Sequence, residues 1–302
     1  MNDAESAASE ALAFNRAFDA TAGAPEFLSP LVRRIVADNP GPMTFTGTCS
    51  YIVGKGEVAI IDPGPASESH LAALTHALRG EKVAAILVTH THKDHAPGAR
   101  LLQAATGALI LGCAPFAHAA GGGSHDLLHA PDRILREGDR FEGDGFSLVA
   151  VETPGHTSNH LAFALPQEQA LFSGDHVMAW STTVVIPPDG SMRDYMNSLD
   201  RLRQRDDRIY WPGHGGPVSE PQRFVRALAH HRRQREQAIL SRLEKGDATV
   251  EAIVANVYEN LPENLRFAAA LSTLAHLQDL ADRGLVASEN AAATLASRFT
   301  LA

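Results

Sequence analysis

A chain of 302 residues, 44% hydrophobic and 20% charged, has the composition of a globular protein with a large core, built as one large domain or two. Its formal charge of −9, from 26 Lys and Arg against 35 Asp and Glu, argues against a dedicated polyanion binder, although acids that ligate cations would not count in that balance. Two cysteines, Cys49 and Cys113, rule out a disulfide framework and read as small buried hydrophobes of a reducing compartment. Met1 to Ala24 is alanine-rich with Asp3, Glu5 and Glu10, and lacks the basic start and apolar run of a secretory signal. No later stretch approaches a membrane span, so a cytoplasmic protein without a membrane partner is expected.

Residues 1–27 are expected to form a helix or a loosely held tail. From Ser29 the texture changes to short apolar runs cut by Gly and Pro. Leu31–Val36, Ser50–Val53 and Val58–Ile61 read as strands, with Gly54-Lys55-Gly56 as the tight turn joining the last two. Asp62 stops the third strand, at a strand end where sites gather, and reads either as support for a neighbouring site or as turn chemistry. Ser67 to Arg79 carries Leu71, Leu74 and Leu78 at helical spacing and ends at Gly80. Val83–Val88 is too short and too β-branched for a helix and reads as a buried strand. A helix over Ala99–Ala105 and a strand over Leu109–Cys113 follow. The stretch Pro115 to Pro131 holds Gly121-Gly122-Gly123 and is expected to be a mobile flap, with His118, His125 and His129 solvated.

The next portion repeats the strand texture. Phe146–Val151, Leu161–Leu165, Ala170–Ser173 and Ile209–Trp211 read as strands, and Met192–Leu202 as an amphipathic helix. Strands with helices between them predict an α/β fold, an αββα sandwich of two packed sheets with helices outside. After Pro221 the texture is helical: Gln222–Lys245, Thr249–Tyr258 and Leu265–Arg283, then a hairpin of Val286–Ser288 with Thr294–Thr300 around Glu289-Asn290. That order resembles a small winged-helix unit. Its third helix offsets Arg266 and Arg283 with Asp279 and Asp282, so packing or a homodimer contact is predicted rather than duplex DNA binding. The expected division is a tail over 1–27, an αββα sandwich domain over 28–220 and a helical winged-helix-like domain over 221–302.

The chemistry gathers at Thr89-His90-Thr91-His92-Lys93-Asp94-His95, directly after the buried Val83–Val88 run. If extended geometry continues past the strand, His90 and His92 point the same way, while Asp94 and His95 on the following turn can face back toward a second ion. Imidazole with carboxylate suits zinc, with manganese and iron as substitutes. Three further pieces follow: Thr153-Pro154-Gly155-His156, Ser173-Gly174-Asp175-His176 and Pro212-Gly213-His214-Gly215, each placed after a predicted strand.

Together these motifs resemble the ligand set of the metallo-β-lactamase superfamily over about residues 28–220. The helical tail, Trp180-Ser181-Thr182-Thr183-Val184-Val185 and Asp194-Tyr195-Met196-Asn197-Ser198-Leu199 look like the branch containing the β-lactamase-like protein 2 group. The resemblance implies that His90, His92 and His156 hold one metal, that Asp94, His95 and His214 hold a second, and that Asp175 bridges them. It implies two zinc ions sharing a hydroxide nucleophile, with Asp94 and Asp175 as the catalytic carboxylates. Pro97-Gly98-Ala99 departs from a Gly-Gly pair common in the family, which changes a turn and removes no ligand. Related β-lactamases usually lack the bridging aspartate, so antibiotic hydrolysis is not expected.

The resulting expectation is hydrolysis of a small ester, thioester or lactone, the alternative being endonucleolytic cleavage of single-stranded RNA. For RNA, Arg226, Arg232, Arg233 and Arg235 offer a candidate strand track. Substrate contacts are expected from Met178 to Thr183, notably Trp180, Ser181 and Thr182, and from Tyr195.

Overall fold

The computed structural model describes residues 12–117, 122–258 and 261–302. Strands β1 (Glu26–Phe27), β2 (Val32–Val36), β3 (Cys49–Lys55), β4 (Glu57–Ile61), β5 (Lys82–Val88), β6 (Leu109–Gly112) and β7 (Arg133–Ile134) form a seven-stranded sheet in that order. Pairing is antiparallel from β1 to β4 and parallel from β4 to β7. The parallel steps need crossovers, supplied by α1 (Glu68–Ala77) between β4 and β5 and α2 (Gly98–Thr106) between β5 and β6. Ser67 starts α1 by accepting from the His70 N–H at 3.3 Å. Gly107 ends α2 in the left-handed region, at φ 73°.

A second sheet has the order β12-β11-β10-β9-β8, made of β8 (Arg140–Gly143), β9 (Phe146–Glu152), β10 (Leu161–Leu165), β11 (Ala170–Gly174) and β12 (Ile209–Pro212). Its one parallel step, β11 to β12, passes through α3 (Met192–Leu202). Alternation along β10 makes the layers visible. Leu161, Phe163 and Leu165 enter a core shared with Ile35, Ile52, Ile60 and Ile86 of the first sheet. Ala162 and Ala164 enter a second core with Tyr195, Leu199, Val225 and Leu228 of the outer helices. Each fully buried side chain of this size contributes about 1.5–3 kcal/mol of transfer free energy, so the sandwich rests on the period-two pattern.

Beyond the sandwich lie α4 (Pro221–Glu244), α5 (Val250–Val257), α6 (Glu263–Asp282) and the antiparallel pair β13 (Val286–Ser288) and β14 (Phe299–Leu301). A third core joins Ile239 and Leu243 of α4 to Ile253, Leu277, Leu280 and Phe299. Helix α4 serves both sides, with Val225 and Leu228 in the sandwich-side core and Ile239 in this one. Ala275 of α6 also reaches the sandwich-side core, and Arg193 of α3 pairs with Asp279 at 3.0 Å and Asp282 at 3.4 Å. The tail therefore packs on the sandwich. Helix α6 buries Ser272 to Leu277, with Leu274 and Leu277 in the tail's own core, while Glu263, Asn264, Arg266 and Phe267 at its start are exposed.

Several expectations need correction. Residues 12–25 contain no helix; Asn15 N–H donates to the Ala179 carbonyl at 2.8 Å, and β1 begins at Glu26, while residues 1–11 lie outside the described ones. The short strands β7 and β8 were not predicted, because Arg133–Ile134 and Arg140–Gly143 lie at sheet edges, largely exposed, and carry no apolar run. The final hairpin pairs Val286 with Leu301, so the segment from Thr294 to Ser297 is loop, and Arg298 bridges to Thr249. His125 and His129 are 3% and 4% exposed, not solvated, whereas His118 falls outside the described residues.

Candidate metal centre

Strand β5 is fully buried from Ala85 to Val88, and the chain leaves the sheet at Thr89. There the Asp62 carboxylate accepts from the Thr89 N–H at 2.8 Å and from its hydroxyl at 2.7 Å, which fixes the exit direction. His90 and His92 then face one point, His90 Nε2 lying 2.9 Å from His92 Nδ1. A turn closed by His95 N–H and Ala96 N–H on the His92 carbonyl, both at 3.0 Å, brings Asp94 and His95 back beside them. His156 follows Gly155, whose φ of +139° suits glycine alone, and its Nε2 lies 3.1 Å from His92 Nδ1. Asp175 follows β11, and His214 follows β12.

The donors form two groups sharing one carboxylate. Those of His90, His92, His156 and Asp175 lie within 4.8 Å of one another, as do those of Asp94, His95 and His214. In the second group His95 Nε2 is 3.3 Å from His214 Nε2, and Asp94 Oδ2 is 3.3 Å from the former and 3.2 Å from the latter. Asp175 touches both groups, with Oδ2 3.6 Å from His156 Nε2 and 3.4 Å from His214 Nε2, and Oδ1 3.5 Å from His95 Nε2. Oδ1 is buried with no hydrogen-bond partner among the described residues.

The chemistry of the donors fits a divalent cation in each group. Two imidazole nitrogens held about 2.0–2.1 Å from one tetrahedral ion lie about 3.3 Å apart. The observed nitrogen pairs, at 2.9, 3.1 and 3.3 Å, match that spacing. Lone pairs so close repel unless a proton or a cation lies between them.

Outer hydrogen bonds fix one proton of each of four rings on the side away from the centre. Thr89 Oγ1 gives its proton to Asp62 and so accepts from His90 Nδ1–H at 2.9 Å. His95 Nδ1–H donates to Asp62 Oδ2 at 2.9 Å, His156 Nδ1–H to the Val184 carbonyl at 2.7 Å and His214 Nδ1–H to the Gly47 carbonyl at 3.3 Å. Each arrangement keeps a ring proton on the outer nitrogen, so the inner nitrogen is the one free to coordinate once any second proton is lost. Asp62 also lies within a possible ligand group with His90 and His95, but both its oxygens are committed to these donors, so it supports the site rather than standing free to ligate.

The charges are complementary. Burial, with the neighbouring rings, keeps His90 and His92 well below the usual histidine range, so both are neutral donors at neutral pH. Burial also opposes charge on His95 and His214, yet the nearby carboxylates prevail. Asp94, Asp175 and Asp62 hold His95 well above that range, and Asp175 with Asp94 raises His214 to about 9. Burial would raise Asp94 and Asp175, but His95 and His214 keep both well below the usual carboxylate range.

Around the centre, sequence reasoning missed Thr48, whose hydroxyl donates to Asp94 Oδ2 at 3.2 Å, and His160, whose Nε2 accepts from the Asp175 N–H at 3.2 Å. His160 stands four residues after His156, a spacing no regular element explains, so only the local repetition of histidine signalled it. Of the expected substrate contacts, Trp180 is half-buried, stacked on Phe45 at 4.8 Å, and Ser181 and Thr182 are half-buried beside it. Tyr195 is fully buried with its ring 4.6 Å from His176, which places it in the core rather than in the groove. The four arginines of α4 make no common track. Arg232 is buried on the Thr183 carbonyl, Arg235 lies 4.0 Å over the Tyr258 ring, and only Arg226 and Arg233 are exposed. A cavity of about 50 Å³ opens beside His92 and His156, walled by His125, Ile186, Pro187 and Asp189.

The chain matches the family model described as metallo-beta-lactamase superfamily over residues 43–214, and that of the beta-lactamase associated winged helix domain over 249–293. It is 32% identical over 268 residues to a beta-lactamase-like protein 2 homolog of Drosophila melanogaster, covering 85% of this chain and 90% of that one. It is 31% identical over 253 residues to an atrochrysone carboxyl ACP thioesterase of Aspergillus chevalieri, covering 79% and 76% respectively. The crystal structure of a beta-lactamase domain protein from Burkholderia ambifaria superposes with a TM-score of 0.75 at 23% identity, over 100% of this chain and 99% of that one. The chain belongs to the metallo-β-lactamase superfamily, with a C-terminal winged-helix domain.

Proposed function

We propose that this chain is a hydrolase of esters, thioesters or lactones that works with two divalent cations, zinc by default. His90, His92 and His156 would hold one, Asp94, His95 and His214 the other, and Asp175 would span both. The observation that carries the reading is the paired convergence of imidazole nitrogens 2.9–3.3 Å apart, with the rings of His90, His95, His156 and His214 aimed by outer hydrogen bonds. When bound, the cations would acidify water into a nucleophile near neutral pH and stabilise the oxygen that gains charge.

The rest falls to this chain's residues. Asp175 reaches both groups, its Oδ2 lying 3.6 Å from His156 Nε2 and 3.4 Å from His214 Nε2, and would set their separation. Asp94 has the most exposed side chain of the carboxylate pair, at 25% against 9% for Asp175, so it faces the open side and is placed to orient the attacking water. Trp180, Ser181 and Thr182 line the approach in this reading, and the cavity beside His92 admits the reacting group. The division at residues 28–220 and 221–302 assigns the chemistry to the sandwich and a supporting role to the tail.

Relatives named as thioesterases, at 31% and 30% identity, favour the thioester within the ester class. Acyl thioesters, lactones and labelled single-stranded RNA, each assayed with and without chelator, test the assignment. Metal-dependent turnover of a thioester or lactone is expected. Turnover of RNA alone would overturn the substrate class, and turnover indifferent to chelator would overturn the metal reading.

A further inference from the structure

Helix α4 carries a buried stripe at seven-residue spacing: Val225, Arg232 and Ile239. The middle position breaks the apolar pattern. Arg232 is 3% exposed, its Nη2 donates to the Thr183 carbonyl at 2.6 Å, and its guanidinium lies 5.2 Å from the centre of the Tyr195 ring. Among the described residues no carboxylate pairs with it, whereas its neighbour Arg233 reaches Asp200 at 3.8 Å. A guanidinium buried against a carbonyl and a ring alone is costly, and leucine or methionine would pack there more cheaply.

What the charge holds is the segment that aims His156. The Thr183 carbonyl belongs to the peptide unit leading into Val184, and the Val184 carbonyl accepts His156 Nδ1–H at 2.7 Å. Thr183 Oγ1 lies 3.1 Å from the same nitrogen. Tyr195, under the guanidinium, closes the other side. Its backbone occupies the space a Cβ on Gly155 would need, directly before His156, and its ring abuts His176, directly after Asp175. One side chain from the helix that enters the C-terminal domain thus bears on the turns presenting two of the converging donors.

We propose that Arg232 is a positioning residue for the metal centre, clamping the Thr183–Val184 peptide so that His156 keeps its coordinating orientation. This rests on the reading of His156 as a metal ligand. Removing a direct outer partner of a ligating histidine typically lowers metal affinity by about ten- to a hundredfold, and Arg232 stands one step behind such a partner, which sets the low end, about tenfold.

Arg232→Met keeps the length of the side chain and removes its charge and donors. Metal-free protein is titrated with zinc against a chromophoric chelator, the cobalt-substituted spectrum is recorded, and thermal unfolding is followed in parallel. Zinc affinity is expected to fall by about tenfold, with shifted cobalt bands. Arg232→Lys, which keeps a charge but not the planar fork, is expected to fall between. Arg242→Met removes the Arg242–Asp247 pair ten residues, about 15 Å, further along the helix, and serves as the structural control. It is expected to lower the unfolding temperature and leave affinity unchanged. Unchanged affinity in the Arg232 variants overturns the proposal, as does an equal loss in Arg242→Met. If Arg232→Met does not fold, Arg232→Lys decides by the same criteria. Wild-type protein that binds no zinc would instead defeat the metal reading itself.

Discussion

Asp62→Asn keeps the shape of a buried side chain and changes only which atoms accept. In the native protein Oδ1 accepts from the Thr89 N–H at 2.8 Å, and Oδ2 accepts from the Thr89 hydroxyl at 2.7 Å and from His95 Nδ1–H at 2.9 Å. Asparagine has one oxygen for these donors. If it stays toward the Thr89 amide, the NH₂ faces His95 Nδ1, and that nitrogen must become an acceptor. The ring proton then moves to Nε2, the atom 3.3 Å from both His214 Nε2 and Asp94 Oδ2, where it blocks coordination. If the amide turns over, the Thr89 N–H is left buried and unpaired, at about 1–3 kcal/mol. Loss of a charge-assisted hydrogen bond is worth about 1.5–3 kcal/mol, or roughly ten- to 150-fold in affinity. Zinc titration against a chelator is expected to show that loss for the second equivalent. The first should change less, because the Thr89 hydroxyl retains a lone pair for His90. A folded variant with both affinities unchanged would refute the assignment of ring protons.

Asp175→Ala is expected to keep its circular dichroism and to lose at least about a hundredfold in turnover, the scale of removing electrostatic stabilisation from an active site; activity above a tenth of wild type would contradict the shared-carboxylate role. Gly155→Ala places a Cβ against the Tyr195 backbone at φ +139°, so thermal unfolding should show a loss of about 1–3 kcal/mol, and an unchanged midpoint would show that the turn yields. His214 is raised to about 9 and is protonated at neutral pH, so filling the second group expels its proton. Affinity for the second equivalent should therefore climb with pH up to about 9, while the first, held by the neutral His90 and His92, should be flatter. The same sign makes metal-free protein lose stability as pH rises from the unfolded histidine value, about 6.5, through about 9, which pH-dependent unfolding checks. Arg226 and Arg233 are exposed, and replacing both with Ala should leave stability within about 0.5 kcal/mol and thioester turnover unchanged.

The sandwich was legible because its strands carry apolar runs bounded by Gly, Pro and Asp. The two edge strands Arg133–Ile134 and Arg140–Gly143 were not, since an exposed edge buries nothing that a sequence pattern would record. The histidine and acid motifs were legible because each follows a strand end, and the family resemblance grouped them as a ligand set. Their outer partners were less so. The Val184 and Gly47 carbonyls are backbone atoms, and a backbone acceptor leaves no mark on residue type. His125 looked like a solvated loop residue among glycines, yet it is buried by a hydrogen bond to Thr91 at 2.9 Å and a stack on Phe116 at 4.0 Å. Arg232 was read with its basic neighbours as surface. Its seven-residue spacing from Val225 and Ile239 was the signal that it faces inward.

The proposed pair of cations on one shared carboxylate is tested most directly by stoichiometry. Metal-free protein is titrated with zinc while bound metal and acyl-thioester turnover are followed together. Binding is expected to saturate at two equivalents, and turnover, absent in chelator, to return as the second is filled. Saturation at a single equivalent that further zinc does not raise, with turnover already complete, would contradict that proposal.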